Sequence, residues 1–194
     1  MSESSTMGAS VDAVEFLVAQ HRELEQLWSQ LQLSHENGSP DQERLSEEIV
    51  KLLSQHDAIE TQFLYPELRD SAGDQGTELS EHSLGEHQRV RELLTEVDGK
   101  DIRDEGIFSA MSECISTVMH HVEEEEQEIF PLLRAQADEP RLMQLGERMS
   151  KMMAMAPTHP HPHTPDNKIG ATIAGAVSGM VDKARDTVRE ADKT

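Results

Sequence analysis

The chain has 194 residues, with 38 Asp or Glu against 17 Lys or Arg, so its formal net charge is −21. Nucleic acids and anionic membrane surfaces are bound through clustered Lys and Arg side chains, so this charge balance argues against both as partners. Only 3% of the residues are aromatic. A chain of this length can bury a core, which aliphatic side chains must fill.

Four segments carry apolar residues at the spacing of an amphipathic helix. Each is marked by its own apolar set: Leu17, Leu24 and Trp28; Ile49, Leu53 and Ile59; Leu84, Val90 and Leu94; Met111, Cys114 and Val118. The turn-forming residues 35–41 are expected to end the first helix, and Pro66 with residues 71–76 the second. Asp98 follows the third helix, and the fourth runs towards Pro131.

Four helices of about 20 residues joined by short loops are typical of an up-down-up-down bundle. We therefore predict an all-α four-helix bundle over residues 11–155, with a short fifth helix over residues 140–155 and a disordered N-terminus, residues 1–10. Alternating Pro and His residues after the bundle favour an extended linker. Residues 156–194 are predicted to form this linker and a flexible C-terminal tail, and His159 in the linker is expected to be exposed.

The sequence predicts a cytoplasmic location. Its only cysteine, Cys114, cannot form an internal disulfide and is expected to be a small core residue. Residues 1–10 lack the basic and apolar regions of a secretory signal. The longest run of small apolar residues, 169–181, has 13 residues, whereas a helix needs about 20 to cross a bilayer.

One histidine on each bundle helix falls on the apolar face. These residues are His21, His56, His87 and His121. His21, for example, follows Val14 by seven residues and precedes Trp28 by seven, which places all three on one helical stripe. The four imidazoles are therefore expected to point into the bundle.

Two of these histidines have a carboxylate one helical turn later. Glu60 follows His56 by four residues, and Glu125 follows His121 by four. This spacing puts imidazole and carboxylate on the same helix face, where both can reach one metal ion or two adjacent ions. Each pair continues to an aromatic residue and a proline at the same distance, so the pattern H-x3-E-x5-P occurs twice.

The order His, His, Glu, Pro occurs twice along the chain, so two helical hairpins would bring six polar groups together. A single core histidine is commonly just a hydrogen-bonded residue. Burying six groups without partners would cost on the order of 1–3 kcal/mol each, and a metal removes that cost. Mixed imidazole and carboxylate ligands suit iron, manganese or zinc, and six of them favour two ions. Ferritin-like proteins instead place Glu three residues before His, where this chain has apolar residues.

The six residues, with the flanking segments LYPEL and IFPLL, resemble the bacterial hemerythrin-like proteins, also called HHE cation-binding domains, over roughly residues 11–135. The resemblance implies a centre of two Fe ions with an oxo or hydroxo bridge. It implies as ligands His21, His56, Glu60, His87, His121 and Glu125, with both Glu residues bridging. Members of the family bind dioxygen, sense oxygen or iron, or handle peroxide and nitric oxide.

One position departs from the oxygen-carrying hemerythrins, which place a second His four residues from the third-helix His. Here Ser83 and Arg91 stand four residues before and after His87. His82 lies roughly 140° round the helix from His87 and is expected to face outward or towards a neighbouring seam. The missing fifth imidazole argues against reversible oxygen carriage and for an iron pair that admits peroxide or water.

Two further residues near the predicted ligands are expected to lie outside the ligand set. His120 is about 100° off the seam of His121 and is assigned to the surface or to a supporting role. Tyr65 points away from His56 on an ideal helix and is expected to pack in the core. A helix end distorted by Pro66 would instead allow it to act as a phenolate ligand.

Two functional hypotheses follow, and a small molecule is the partner in both. The first is an oxidoreductase that acts on peroxide or a related small oxidant, by catalase- or peroxidase-like cycling of the iron pair. The second is a non-catalytic module that binds or senses oxygen, nitric oxide or iron and passes a conformational change to the tail. Simple iron sequestration is a third hypothesis, with less support in the sequence.

Overall fold

The computed structural model describes residues 11–161 together with Asp182 and Asp186. Residues 11–161 form helices and no strands. The helices are α1 (Ala13–Glu36), α2 (Gln42–Ile59), a π-helical segment (Glu60–Leu64), α3 (Tyr65–Val97), α4 (Glu105–Glu124), a second π-helical segment (Glu125–Ile129), α5 (Phe130–Gln136) and α6 (Glu139–Met153). The predicted disordered N-terminus, residues 1–10, and most of the predicted tail lie outside the described residues.

Capping residues and turn glycines set several of the helix boundaries. Asp12, Asp104 and Asp138 each accept a backbone N–H from the first turn of α1, α4 and α6. An N-cap of this kind stabilises a helix by about 1 kcal/mol. Gly38 and Gly99, with φ of 62° and 72°, reverse the chain after α1 and α3. The turns predicted after the first and third helices are therefore confirmed.

The core consists of two apolar clusters stacked along the bundle. One contains Leu31, Ile49, Leu94 and Met111, and the other contains Leu17, Phe63, Leu133 and Leu145, among other residues. Helix α1 packs against α2, and α3 packs against α4. The predicted histidines lie between the two clusters, so the bundle surrounds them with apolar side chains at both ends.

The second bundle helix ends at Gly73, within the predicted residues 71–76, and only the expectation that Pro66 helps to end it is wrong. The chain stays helical through the π-helical segment into the start of α3, with Pro66 in its first turn, where a missing N–H is tolerated. The direction changes at Gly73, which has φ of 58°. The fourth helix repeats this behaviour, because α5 continues past Pro131.

The fifth helix of the prediction is α6, which packs across the start of α1. A Cβ atom at Gly146 would clash with the carbonyl oxygen of Val11, so only glycine permits this close approach. Met149 on the same helix is fully buried. The methionines of α6 therefore include core residues, as their flexible side chains suit irregular gaps.

His159 is buried, which corrects the expectation that this linker histidine is exposed. Its Nδ1 lies 2.9 Å from Asp98 Oδ1 and its Nε2 lies 2.9 Å from Asp186 Oδ1. Backbone N–H groups of Thr158 and His159 donate to Asp182. Burial is tolerated because carboxylates remote in sequence satisfy both ring nitrogens. The start of the predicted linker is thus packed against the bundle.

Cys114 is a buried free thiol, as predicted. Burial raises its pKa to about 12, with a smaller contribution from the charge of Glu113. The thiol is therefore protonated and unreactive at neutral pH. Among the described helices, none has the length and apolar character needed to span a membrane.

Two glycines of α3 provide a test of the chain reversal. Gly73→Ala should lower the free energy of unfolding by about 1 kcal/mol, because an L-residue is strained at positive φ. Gly85 is an exposed, ordinary helical position, and a Cβ at either glycine meets open space. Gly85→Ala should therefore raise the free energy of unfolding by about 0.5–1 kcal/mol. Urea denaturation of both variants measures the difference, and equal shifts would contradict a reversal at Gly73.

Candidate metal centre

The structure brings all six predicted ligand residues together in the middle of the bundle. Each of the six residues has an exposed fraction of 6% or less. The four histidines come from four different helices, and the two carboxylates begin the two π-helical segments. The bundle therefore holds four imidazoles and two carboxylates between its two apolar clusters.

Glu60 lies between imidazoles from three helices. Its Oε1 is 3.2 Å from Nε2 of His56, and its Oε2 is 3.3 Å from Nε2 of His87. The same Oε2 is 4.0 Å from Nε2 of His121. The two oxygens of Glu60 thus face two different groups of imidazoles, which is the arrangement of a bridging carboxylate.

Glu125 has a similar position on the opposite hairpin. Its Oε2 is 3.4 Å from Nε2 of His21, and its Oε1 is 3.5 Å from Nε2 of His121. Two groups of potential ligand atoms result, each with its members within 4.8 Å of one another. They are His21, His56, Glu60 and Glu125, and Glu60, His87 and His121. The two groups share Glu60, so the geometry offers two adjacent cation positions.

All four histidines are oriented by a hydrogen bond at Nδ1. The bonds join His21 to Glu126 (2.9 Å), His56 to Gln20 (2.8 Å), His87 to Asp57 (2.7 Å) and His121 to Glu86 (2.8 Å). Each acceptor is a side-chain oxygen, so Nδ1 carries the proton and the Nε2 lone pair faces the centre. Metal-binding histidines are fixed in this way.

These four bonds form a ring round the bundle. Each acceptor is the sequence neighbour of one of the six central residues. It accepts its hydrogen bond, however, from the histidine of the next helix. Gln20 on α1 holds the α2 histidine, Asp57 on α2 the α3 histidine, and Glu86 on α3 the α4 histidine. Glu126, next to Glu125 in the sequence, accepts from the histidine of α1 and closes the ring. We call this set the hydrogen-bond ring. The sequence pattern did not reveal these four acceptors, although each stands next to a predicted ligand.

Tyr65 lies at the centre, which corrects the expectation that it points away. Its Oη is 2.8 Å from Nε2 of His87 and 3.4 Å from Oε1 of Glu125. Nine residues of ideal helix would put it about 180° from His56, but the π-helical segment contains an extra residue and turns it by roughly 100°. The equivalent residue of the other hairpin, Phe130, stacks on His21 with ring centroids 5.8 Å apart.

The phenol of Tyr65 stays protonated in this environment. Burial raises its pKa well above the ordinary value, and the charges of Glu60 and Glu125 raise it further. Because Nδ1 of His87 donates to Asp57, its Nε2 accepts the phenol proton. Tyr65 therefore acts in this structure as a hydrogen-bond donor.

Ser83 and Arg91 stand at the two positions four residues from His87, and neither is a histidine. The guanidinium of Arg91 is buried and forms two hydrogen bonds of 2.9 Å to the carboxylate of Asp57. Burial opposes ionisation of Asp57, but the hydrogen bond from His87 and the charge of Arg91 hold its pKa well below the usual range. Arg91 thus fixes the acceptor of His87 in its charged form and supplies no ligand atom.

The residues fit a metal, because several buried polar atoms lack a hydrogen-bond partner. These atoms are Nε2 of His21, both oxygens of Glu60 and Oε2 of Glu125. Burial and the neighbouring charge of Glu125 raise the pKa of Glu60 well above its usual value. Burial likewise lowers the pKa of His56. Cations at the centre would satisfy these atoms and stabilise the charged carboxylates.

His82 and His120 lie outside the buried centre, as predicted. Their side chains are 61% and 68% exposed. A small cavity of about 10 Å³ adjoins the centre, lined mainly by the apolar side chains of Leu24, Val118 and their neighbours, with His21 among the polar ones. That volume is about what one water-sized molecule needs.

A helical bundle that buries such a His/Glu cluster is a metal-binding domain. The family model "Hemerythrin HHE cation binding domain" matches residues 12–133. An uncharacterised hemerythrin-like protein of Schizosaccharomyces pombe is 27% identical over 147 residues, which is 76% of this chain and 72% of that protein. The crystal structure of a hemerythrin HHE cation binding domain-containing protein from Mycobacterium kansasii is 25% identical with a TM-score of 0.61, covering 74% of this chain and 85% of that chain. This chain belongs to the hemerythrin HHE cation-binding family.

The hydrogen-bond ring can be tested at Glu126, its most exposed acceptor. Glu126→Ala removes the partner of His21 Nδ1 and should weaken metal binding about 10- to 100-fold. Glu128→Ala removes an exposed charge two residues away and should leave the affinity unchanged. Competition of Zn²⁺ against a chromogenic chelator measures both variants. Equal affinities for the two would contradict a role of the ring in metal binding.

Proposed function

We propose that the protein binds two Fe ions at this centre. His21 and His56 would hold one ion, His87 and His121 the other, and both carboxylates would bridge them. The two ligand groups that share Glu60 support this assignment. Iron is favoured by the number of groups, because zinc sites close with about four ligands, and by the mixture of imidazole and carboxylate.

We further propose that the centre handles hydrogen peroxide in a catalase- or peroxidase-like reaction. The observation that carries this proposal is the incomplete ligand set. Two six-coordinate ions have roughly twelve coordination positions. Four imidazole nitrogens and four carboxylate oxygens fill only part of them, so some coordination positions stay free. Neither residue four positions from His87 is a histidine, and Arg91, one of the two, pairs with Asp57. When bound, the iron pair supplies two-electron redox chemistry by cycling between diferrous and diferric states.

The protein's own residues have defined tasks in such a reaction. The cavity beside His21 has room for about one water-sized molecule, and its mainly apolar walls keep bulk water from the centre. Tyr65 holds a proton on Oη, within 3.4 Å of Nε2 of His121 and of Oε1 of Glu125. It would therefore donate a hydrogen bond to a substrate oxygen on the His87 and His121 side of the centre, and not in the cavity. The hydrogen-bond ring keeps the imidazoles in position throughout.

Oxygen evolution tests the proposal. Iron-loaded protein should release O₂ from hydrogen peroxide, and Glu60→Ala should abolish the release because it removes the bridging carboxylate. Tyr65→Phe should retain iron but lower kcat, whereas Glu128→Ala should match the wild type. The catalytic proposal fails if the iron-loaded wild type releases no O₂, or if Glu60→Ala is as active as the wild type.

A second candidate function, sensing, is favoured by the packing of the segment after α6. A cavity separates residues 155–161 from α2 and α3, and Asp57, Arg91 and His159 all line it. Asp57 also holds His87, so one side chain joins the centre to the cavity that this segment lines. Limited proteolysis should then cut after residue 155 at rates that depend on iron and oxygen. Identical cleavage under all conditions would contradict sensing.

We also propose a cytoplasmic location. Cys114 is a buried free thiol with a raised pKa. A reducing compartment is where unpaired cysteines are usual.

A further inference from the structure

Two more His-x3-Glu pairs lie on the surface between α3 and α4. They are His82 with Glu86 on α3 and His120 with Glu124 on α4. Nε2 of His82 is 3.4 Å from Oε2 of Glu124 and 3.8 Å from Oε1 of Glu86. Nε2 of His120 is 3.5 Å from Oε1 of Glu124. The pattern of the buried centre is thus repeated on the outside by residues that are not among its six central residues.

The two carboxylates of this cluster are available to a cation. Each forms its ion pairs within the described chain with imidazoles, whereas other carboxylates of α2 and α4, such as Glu48 and Glu113, pair with Arg side chains. A guanidinium would occupy the oxygens permanently, but a neutral imidazole offers a further ligand atom. The side chain of Glu124 is 33% exposed, so a hydrated ion can reach the cluster.

Glu86 connects this cluster to the buried centre. Its Oε1 faces His82, and its Oε2 accepts from Nδ1 of His121 at 2.8 Å. One carboxylate is therefore both an outer ligand candidate and a member of the hydrogen-bond ring. A cation bound outside would be separated from a ligand of the centre by a single side chain.

We propose that His82, Glu86 and Glu124 form an outer site for a first-row divalent cation, with His120 as a fourth ligand. Three ligand atoms already lie within 4.8 Å of one another, and imidazole with carboxylate suits Fe²⁺, Co²⁺ or Zn²⁺. In this staging role, the outer site binds Fe²⁺ first, and the ion then moves to the centre. This role rests on the proposed iron function, whereas cation binding at the outer site does not.

Calorimetric titration of iron-loaded protein with Co²⁺ tests the site. The wild type should bind one Co²⁺ in addition to its iron, and His82→Ala/Glu124→Gln should weaken that binding by about 100-fold or abolish it. Glu113→Gln, which also removes one acidic charge from the exposed part of α4, should bind Co²⁺ as the wild type does. The outer site is wrong if the wild type binds no Co²⁺ or if the double variant binds it equally well.

The kinetics of iron loading test the staging role. Absorption of the centre, followed after mixing apoprotein with Fe²⁺ and air, should rise severalfold more slowly in the double variant than in the wild type and in Glu113→Gln. Equal rates would overturn staging. Protein that takes up no iron but still binds one Co²⁺, in a manner sensitive to the double variant, would contradict the di-iron proposal and support the outer site.

Discussion

The hydrogen-bond ring is the constraint on which the rest of the structure depends. Four imidazoles and two carboxylates are buried between apolar clusters, and such groups are stable there only if each nitrogen and oxygen has a partner. The ring satisfies every Nδ1 from the neighbouring helix. It therefore directs four Nε2 lone pairs inward, and it also joins the four helices in a fixed register. Metal binding and bundle packing consequently use the same side chains.

The two π-helical segments determine what surrounds the centre. Each begins at a carboxylate, Glu60 or Glu125, and each turns the following aromatic residue towards the histidines. On one hairpin this residue is Tyr65, which brings a buried hydroxyl to the centre. On the other it is Phe130, which covers His21 with an apolar ring. The centre thus has a polar half and an apolar half, although each hairpin contributes two histidines and one carboxylate to it.

Periodicity along the chain was sufficient to predict the bundle, its fifth helix and the meeting of the six central residues. A residue such as His21 shares a stripe with apolar neighbours on its own helix, and that information is local. Tyr65 was misplaced because periodicity assumes an ideal helix, which the π-helical segment interrupts. His159 was misplaced because its partners, Asp98 and Asp186, are remote in sequence. The acceptors of the ring were missed for a similar reason, since each bonds to a histidine on another helix.

The central claim is that two bridging carboxylates hold two iron ions in the middle of the bundle. Anomalous diffraction from crystals of iron-loaded protein, recorded on both sides of the iron absorption edge, tests it most directly. The account predicts two anomalous peaks roughly 3.5–4 Å apart, both within bonding distance of Glu60 and Glu125. A single peak there, or peaks only at the protein surface, would contradict it.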